Sequence, residues 1–231
     1  RRRGRARRRA LAWGVPALWF ALGLLCRLPV FAPDREHLEG DEIVYRVLVA
    51  QLEAGRGYTL QGTPLLDVPS DTGPGRAWPA DQYDRPLFFH PPGGIAFFWL
   101  LHRLAGENAW PLAQLLSYAL FFWSLLALAR TLLPPLAGAQ LHAAAALAAF
   151  TPIMTHVVSR YWLDGPMLAV VTLAAALFVR AAGRRDARGV ALAALAMGAA
   201  SWIKVAALVA VPGMLLLARA ANGEGDWRYG V

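Results

Sequence analysis

The chain has 231 residues, 57% hydrophobic and only 16% charged, with a mean hydropathy of +0.40. An average soluble domain carries about 25% charged residues. Here the apolar residues come in long uncharged runs, which argues against an ordinary soluble domain and points to a chain that crosses a membrane several times. The net charge of +8 does not indicate a nucleic-acid partner, because seven of the first nine residues are Arg and an apolar run follows directly. That is the pattern of a cytoplasmic flank before a first membrane helix.

The run from Leu11 to Pro33 carries Arg27 as its single charge. It is longer than the apolar core of a cleaved signal peptide, about 7–15 residues. It reads as an uncleaved anchor with a spanning helix near 11–31 and Arg27 as an interfacial anchor near its outer end. Cys26 is the only cysteine, so no intrachain disulfide forms. A polar segment, 33–92, holds ten of the fifteen acidic residues. Within it Asp41 to Ala54 is predicted helical: Ile43, Val44, Val47, Leu48 and Leu52 fall at helical spacing and Gly55 ends the run. The adjacent carboxylates Asp41 and Glu42 have two readings. Asp41 caps the helix, or both carry chemistry at the membrane surface.

The stretch 55–79 is dense in Gly and Pro and too long for a simple connector. Trp78, Tyr83, Phe88, Phe89 and Trp99 mark an interfacial aromatic zone. His90-Pro91-Pro92-Gly93 then opens a short apolar helix, 94–104. At about eleven residues and 1.5 Å per residue it cannot cross a hydrocarbon core of about 30 Å, so it is expected to lie in the interface or re-enter. A span is predicted at 109–129, ended by Arg130, followed by a turn at 133–135. Further spans are predicted at 136–158 and 166–179, the last running into a basic loop with Arg180, Arg184, Arg185 and Arg188. Residues 190–217 are long for one helix and short for two. A tight hairpin with Lys204 at its turn is one reading; a single tilted helix kinked at Pro212 is the other. The start at Arg1 and the polar tail suggest part of a longer protein.

Sidedness ties these elements together. With the Arg-rich terminus inside and the short helix interfacial, Arg130 and the four-Arg loop also fall inside. Asp41, Glu42, His90, Arg160, Asp164 and Lys204 all fall outside. If the short helix crossed, the four-Arg loop would be external, against the charge rule. Length and charge therefore select one topology, and it gathers the unusual charged residues at one membrane face.

Each has a plain alternative. Asp164 beside Arg160 is a loop ion pair or a cap on the following helix, where Pro166 suits the first turn; charges this close to hydrocarbon are also costly and often functional. Lys204 amid Ala, Val and Ile either snorkels or faces a cavity or partner. His90 is held extended by the proline after it and is placed to donate to a phosphate oxygen. His37, His102, His142 and His156 lack metal-ligand spacing, so no metal site is assigned; a divalent metal stays open but is unsupported by ligand spacing, and no cofactor is identified. Walker, nucleophile-elbow and dinucleotide glycine patterns are absent, as is an Asp-x-Asp sugar-nucleotide motif.

Four features together resemble the N-terminal membrane module of the GT-C glycosyltransferases, in particular bacterial aminoarabinose-transferase-like and protein O-mannosyltransferase-like proteins. They are Asp41-Glu42 with Tyr45 after the first helix, Tyr83 through His90-Pro91-Pro92 before a short helix, Ser159-Arg160 followed by Asp164, and Gly198 through Lys204 in a later helix. The resemblance covers about residues 11–217. It implies an all-α polytopic bundle with an external loop, 33–107, holding juxtamembrane helices. A cytoplasmic basic arm, 1–10, would precede the module at 11–220, and a cytoplasmic tail, 221–231, would follow it.

It also implies sugar transfer from a polyprenyl-phosphate donor to an acceptor hydroxyl on the non-cytoplasmic face. Asp41 would be the base with Glu42 second. Tyr45, His90, Arg160, Asp164 and Lys204 would bind substrate, with Asp164 orienting Arg160 or binding the acceptor. Two departures leave the donor sugar open: His90 stands where aminoarabinose-transferase-like proteins often have Lys, and Val44 where they often have Arg. Heavy Ala and Arg use suggests a GC-rich bacterium, hence a plasma membrane and a periplasmic or extracellular site. The rival readings are a transporter, which explains intramembrane charge equally well, or an inactive lipid-binding relative.

Overall fold

The computed structural model describes residues 2–28, 41–60, 91–133, 138–158 and 160–222. Among the described residues every regular element is helical. His90, Ser159 and the aromatic residues Trp78, Tyr83, Phe88 and Phe89 lie outside them.

Helix α1 (Arg2–Leu25) starts inside the basic arm, earlier than predicted, and stops short of Phe31. Arg is a good helix former, so the arm simply continues the apolar helix. Arg27, just beyond it, corrects the interfacial-anchor expectation. It is buried, donates to Gly23 O at 2.7 Å and to Thr155 Oγ1 at 3.0 Å, and lies 4.0 Å over the Tyr118 ring. Two acceptors and an aromatic face hold the cation inside the bundle, although its buried Nε has no hydrogen-bond partner.

Helix α2 (Asp41–Glu53) matches its predicted bounds and buries Tyr45, Leu48 and Val49. Asp41 and Glu42 lie in its first turn, where carboxylates favour the helix dipole. Its end closes as a Schellman motif. Gly55 takes φ 69° and Arg56 N donates to Gln51 O at 2.9 Å.

Helix α3 (Pro92–Ala105) follows the double proline. Its fourteen residues reach only about 21 Å, well short of the bilayer core. The apolar, helix-rich stretch runs on from Pro92 to Leu132, but Gly106 interrupts it at φ 58°, ψ −139°, a conformation only glycine adopts readily. Helix α4 (Ala109–Leu132) then forms the central post of the bundle, touching α1 and α3 as well as the helices that follow.

The span predicted at 136–158 is two helices, α5 (Ala139–Phe150) and α6 (Pro152–Val158). Pro152 has no N–H to give and pushes Thr151 out of the helical region, to ψ 119°. Helix α7 (Asp164–Arg184) is longer than predicted at both ends. Arg180 and Arg184 belong to it, so the expected loop shrinks to a turn. Arg185 closes α7 at φ 54°, and Asp186 caps α8 (Ala187–Ile203) by accepting from Arg188 N at 3.1 Å.

The break in the last apolar region falls at Lys204, in extended backbone at φ −154°, ψ 125°. A short 3₁₀ turn and α9 (Ala210–Asn222) follow. Pro212 sits in the first turn of α9, where it costs no hydrogen bond. Both α8 and α9 pack on α7 through Met167, Ala174, Met197, Ala200 and Met214, as the hairpin reading requires. The small residues let the backbones approach closely.

Candidate active site

Three separate pieces of chain meet at one end of the bundle: the first turn of α2, the segment 160–164 leading into α7, and Lys204 at the end of α8. Glu42 is buried and joins two of them. Its Oε1 accepts from Tyr161 N at 2.7 Å, and its Oε2 lies 3.7 Å from the Arg160 guanidinium. Lys204 joins the third, its Nζ donating to both Asp164 oxygens at 2.9 Å. Adjacency in the chain reads Asp164 and Arg160 as an ion pair, and the resemblance has Asp164 orient Arg160 or bind the acceptor. In the structure Asp164 takes Lys204, and Arg160 takes Glu42. Sequence adjacency favoured the nearer pair, whereas packing α8 on α7 brings the more distant lysine closer.

Tyr45 stands among these groups, fully buried. Its hydroxyl donates to Asp41 Oδ2 at 3.2 Å. Burial raises its phenol far above the ordinary tyrosine range, and the charge of Asp41, the hydrogen bond to it, and Asp164 push the same way. Tyr45 is thus a neutral donor to Asp41. Tyr45 and Leu163, the neighbour of Asp164, share one buried cluster, and Ile203, the neighbour of Lys204, packs against it, which brings the first turn of α2 to the Asp164–Lys204 pair.

Supporting residues escaped the sequence reading. Arg46 lies 5.5 Å from the Trp110 ring and 5.4 Å from the Tyr161 ring, clamping α2 to α4 and the 160–164 segment. Gln114, fully buried in α4, donates to Trp162 O at 3.1 Å, while its Oε1 finds no partner. A lone Gln in an apolar span is a signal that could have flagged it. Arg46, four residues after Glu42 on the same helix face, could also have been noticed. Among the described residues, no three His, Cys, Asp or Glu side chains gather as metal ligands.

Beside the Asp164–Lys204 pair opens an apolar cavity of about 480 Å³, lined by Gly93, Phe97, Leu116, Pro166, Val170 and Ile203. Pro166 and Ile203 stand within two residues of the ion pair, so the polar cluster sits at the cavity's edge. Glycine makes room for it. A Cβ on Gly93 would come 2.8 Å from Trp202 O.

Fold and site define a helical bundle with a polar, partly shielded cluster at one end and an apolar groove leading away from it. A family model described as dolichyl-phosphate-mannose-protein mannosyltransferase matches residues 89–227, and the chain belongs to that family of membrane glycosyltransferases, GT-C in type. The matched stretch includes His90, Arg160, Asp164 and Lys204; Asp41, Glu42 and Tyr45 precede it. No match was found among curated proteins or among solved structures.

Proposed function

We propose that this chain transfers a sugar from a polyprenyl-phosphate donor to an acceptor hydroxyl on the non-cytoplasmic face of a bacterial plasma membrane. The observation that carries the reading is the meeting of Asp41, Tyr45, Asp164 and Lys204 at the edge of an apolar groove. A lipid-phosphate sugar needs both surfaces at once: apolar walls for the polyprenyl tail and polar groups for the phosphate and sugar.

In the transfer, the acceptor oxygen attacks the anomeric carbon and the bond from that carbon to the phosphate oxygen breaks. The electron pair leaves with polyprenyl phosphate, and the hydroxyl proton goes to a base. Asp41 is the proposed base. Tyr45, held protonated, steadies its carboxylate. Lys204 and Arg160 meet the negative charge that grows on the leaving phosphate, which is where a cation accelerates the reaction. His90 is a further phosphate donor in this reading. Glu42 is assigned a positioning role, because its two oxygens already hold Tyr161 N and Arg160. Asp164 keeps Lys204 aimed. The family description makes a mannosyl phosphate the first donor to try.

The test is release of polyprenyl phosphate from a labelled lipid-linked sugar by the purified full-length protein. Asp41→Asn is expected to lower turnover by about 10²–10⁴-fold with the fold intact. Wild-type turnover in a well-folded Asp41→Asn protein would remove Asp41 from the chemistry. No release by the wild type from any polyprenyl-phosphate sugar, with an acceptor mixture present, would overturn the transferase reading itself.

A further inference from the structure

We propose a second lipid site at the opposite end of the bundle: an anionic phospholipid held between α4 and α7, its phosphate gripped by Arg130, Arg180 and Arg184. A cavity of about 740 Å³ lies there. Toward the bundle interior its walls are apolar, built from Leu120 and Trp123 of α4 and Leu173 and Leu177 of α7. Toward the helix ends it is lined by the three arginines, and among the described residues none that lines it is acidic. Arg180 and Arg184 are exposed and four residues apart, hence on one face of α7. The Arg130 guanidinium lies 5.5 Å over the exposed Trp13 ring, which itself sits 6.3 Å from Trp123.

The position is fixed by helix length. Helix α7 begins at Asp164, in the candidate active site, and ends at Arg184. Its twenty-one residues span about 31 Å, the thickness of a bilayer core. The cavity therefore belongs to the other leaflet. It is also the end where α1 emerges, since Trp13 packs here and the Arg-rich start of α1 lies just before it.

The occupant follows from the two kinds of wall. Three guanidiniums lining one cavity suit a phosphate, the group that the planar fork of arginine matches. A free phosphate would leave the apolar walls wet. A phospholipid satisfies both, with acyl chains along the α4–α7 seam and the headgroup among the arginines. Basic pockets between helices at the cytoplasmic side are suited to acidic headgroups, and an anionic leaflet supplies them. No step of sugar transfer uses this face.

The experiment reconstitutes the full-length protein in vesicles of phosphatidylcholine with a minor fraction of phosphatidylglycerol. Native mass spectrometry then reads which lipid stays bound. Retained lipid from the wild type is expected to be enriched in phosphatidylglycerol. Arg180→Gln with Arg184→Gln is expected to lower that enrichment roughly twenty-five-fold, about five-fold for each cation removed. Arg180→Lys with Arg184→Lys keeps the charge and is expected to stay within a few-fold of wild type. Leu177→Trp fills the apolar wall and is expected to lower retention with every cation in place. The proposal is overturned if the wild type shows no enrichment. It is equally overturned if the Gln variant retains as much as wild type, or if inorganic phosphate displaces the lipid as readily as added phosphatidylglycerol. None of these readouts depends on catalysis, so a negative result here leaves the transferase reading standing.

Discussion

Lys204 illustrates how single residues are accommodated. A lysine in a run of Ala, Val and Ile is costly in a membrane, by about 2.5–3.5 kcal/mol at mid-depth. The chain ends a helix there, turns the backbone to the extended region, and delivers the ammonium to Asp164. The pair is 23% and 29% exposed, so water screens it in part. Lys204→Met leaves Asp164 without its partner and is expected to cost about 1–2 kcal/mol. Adding Asp164→Leu should recover most of that stability without recovering transfer activity. Thermal midpoints and turnover measured on both variants and the wild type check the split; recovery of both would reduce the pair to a structural role.

Two phenols on the same face report burial. Burial pushes Tyr58 up to about 12, and Tyr45 is raised further by burial and its two aspartates. A raised phenol keeps its proton in the folded chain after the unfolded chain has lost it. Its contribution to stability is thus complete below about pH 10, the unfolded value, and falls away as pH rises through the folded one. Tyrosinate absorbance of the folded protein should show a step near 12 that Tyr58→Phe lowers by one phenol. The same step appearing near 10 would contradict the burial described here.

Among the elements, α3 owes its position to two glycines. The site needs it close to α8 and to the segment before α7, and Gly93 and Gly94 allow that approach. A Cβ on Gly94 would meet Leu163 Cδ2 at 2.5 Å, and one on Gly93 would meet the Trp202 carbonyl at 2.8 Å. A backbone carbonyl cannot rotate away as a side-chain tip can. Gly93→Ala is therefore expected to destabilise by about 1–3 kcal/mol and to disturb the groove. Gly198, inside α8, provides the contrast: a Cβ there meets nothing within 4 Å. Gly198→Ala should be neutral or stabilise by up to about 1 kcal/mol through helix propensity alone. Melting curves of the two variants decide this, and equal effects would contradict the close α3–α8 packing.

At the scale of the whole molecule, charge gathers at the two ends of the bundle. Asp41, Glu42, Arg160, Asp164 and Lys204 mark one end; Arg130, Arg180, Arg184 and Arg188, with Asp186 beside them, mark the other. Sidedness is expected to follow, with α2 outside and the α7–α8 turn in the cytoplasm. On a Cys26→Ser background, Ala50→Cys should react with an impermeant thiol reagent added to intact cells. Ala187→Cys should react only after permeabilisation. Both positions are exposed in the structure. The reverse pattern would invert the topology and place the proposed site in the cytoplasm.

The sequence by itself determined where the helices lie and which residues are anomalous. Apolar periodicity, proline and glycine act over a few residues, so α2, α3, α4 and the break at Lys204 could be read locally. The split at Pro152 is equally local, but length and apolarity alone read 136–158 as one span. Asp41, Glu42, Asp164 and Lys204 stand out because charge beside hydrocarbon is expensive, and Tyr45 enters only through the family resemblance. Only the tertiary structure decided who pairs with whom. Glu42 meets Tyr161 from 119 residues away, and Lys204 meets Asp164 from 40. Such partners are set by which helix faces pack together, and that depends on side-chain shape across the whole bundle. Nothing local to Arg27 could reveal that it turns inward, because its acceptor Thr155 and its aromatic partner Tyr118 are supplied by helices distant in the chain.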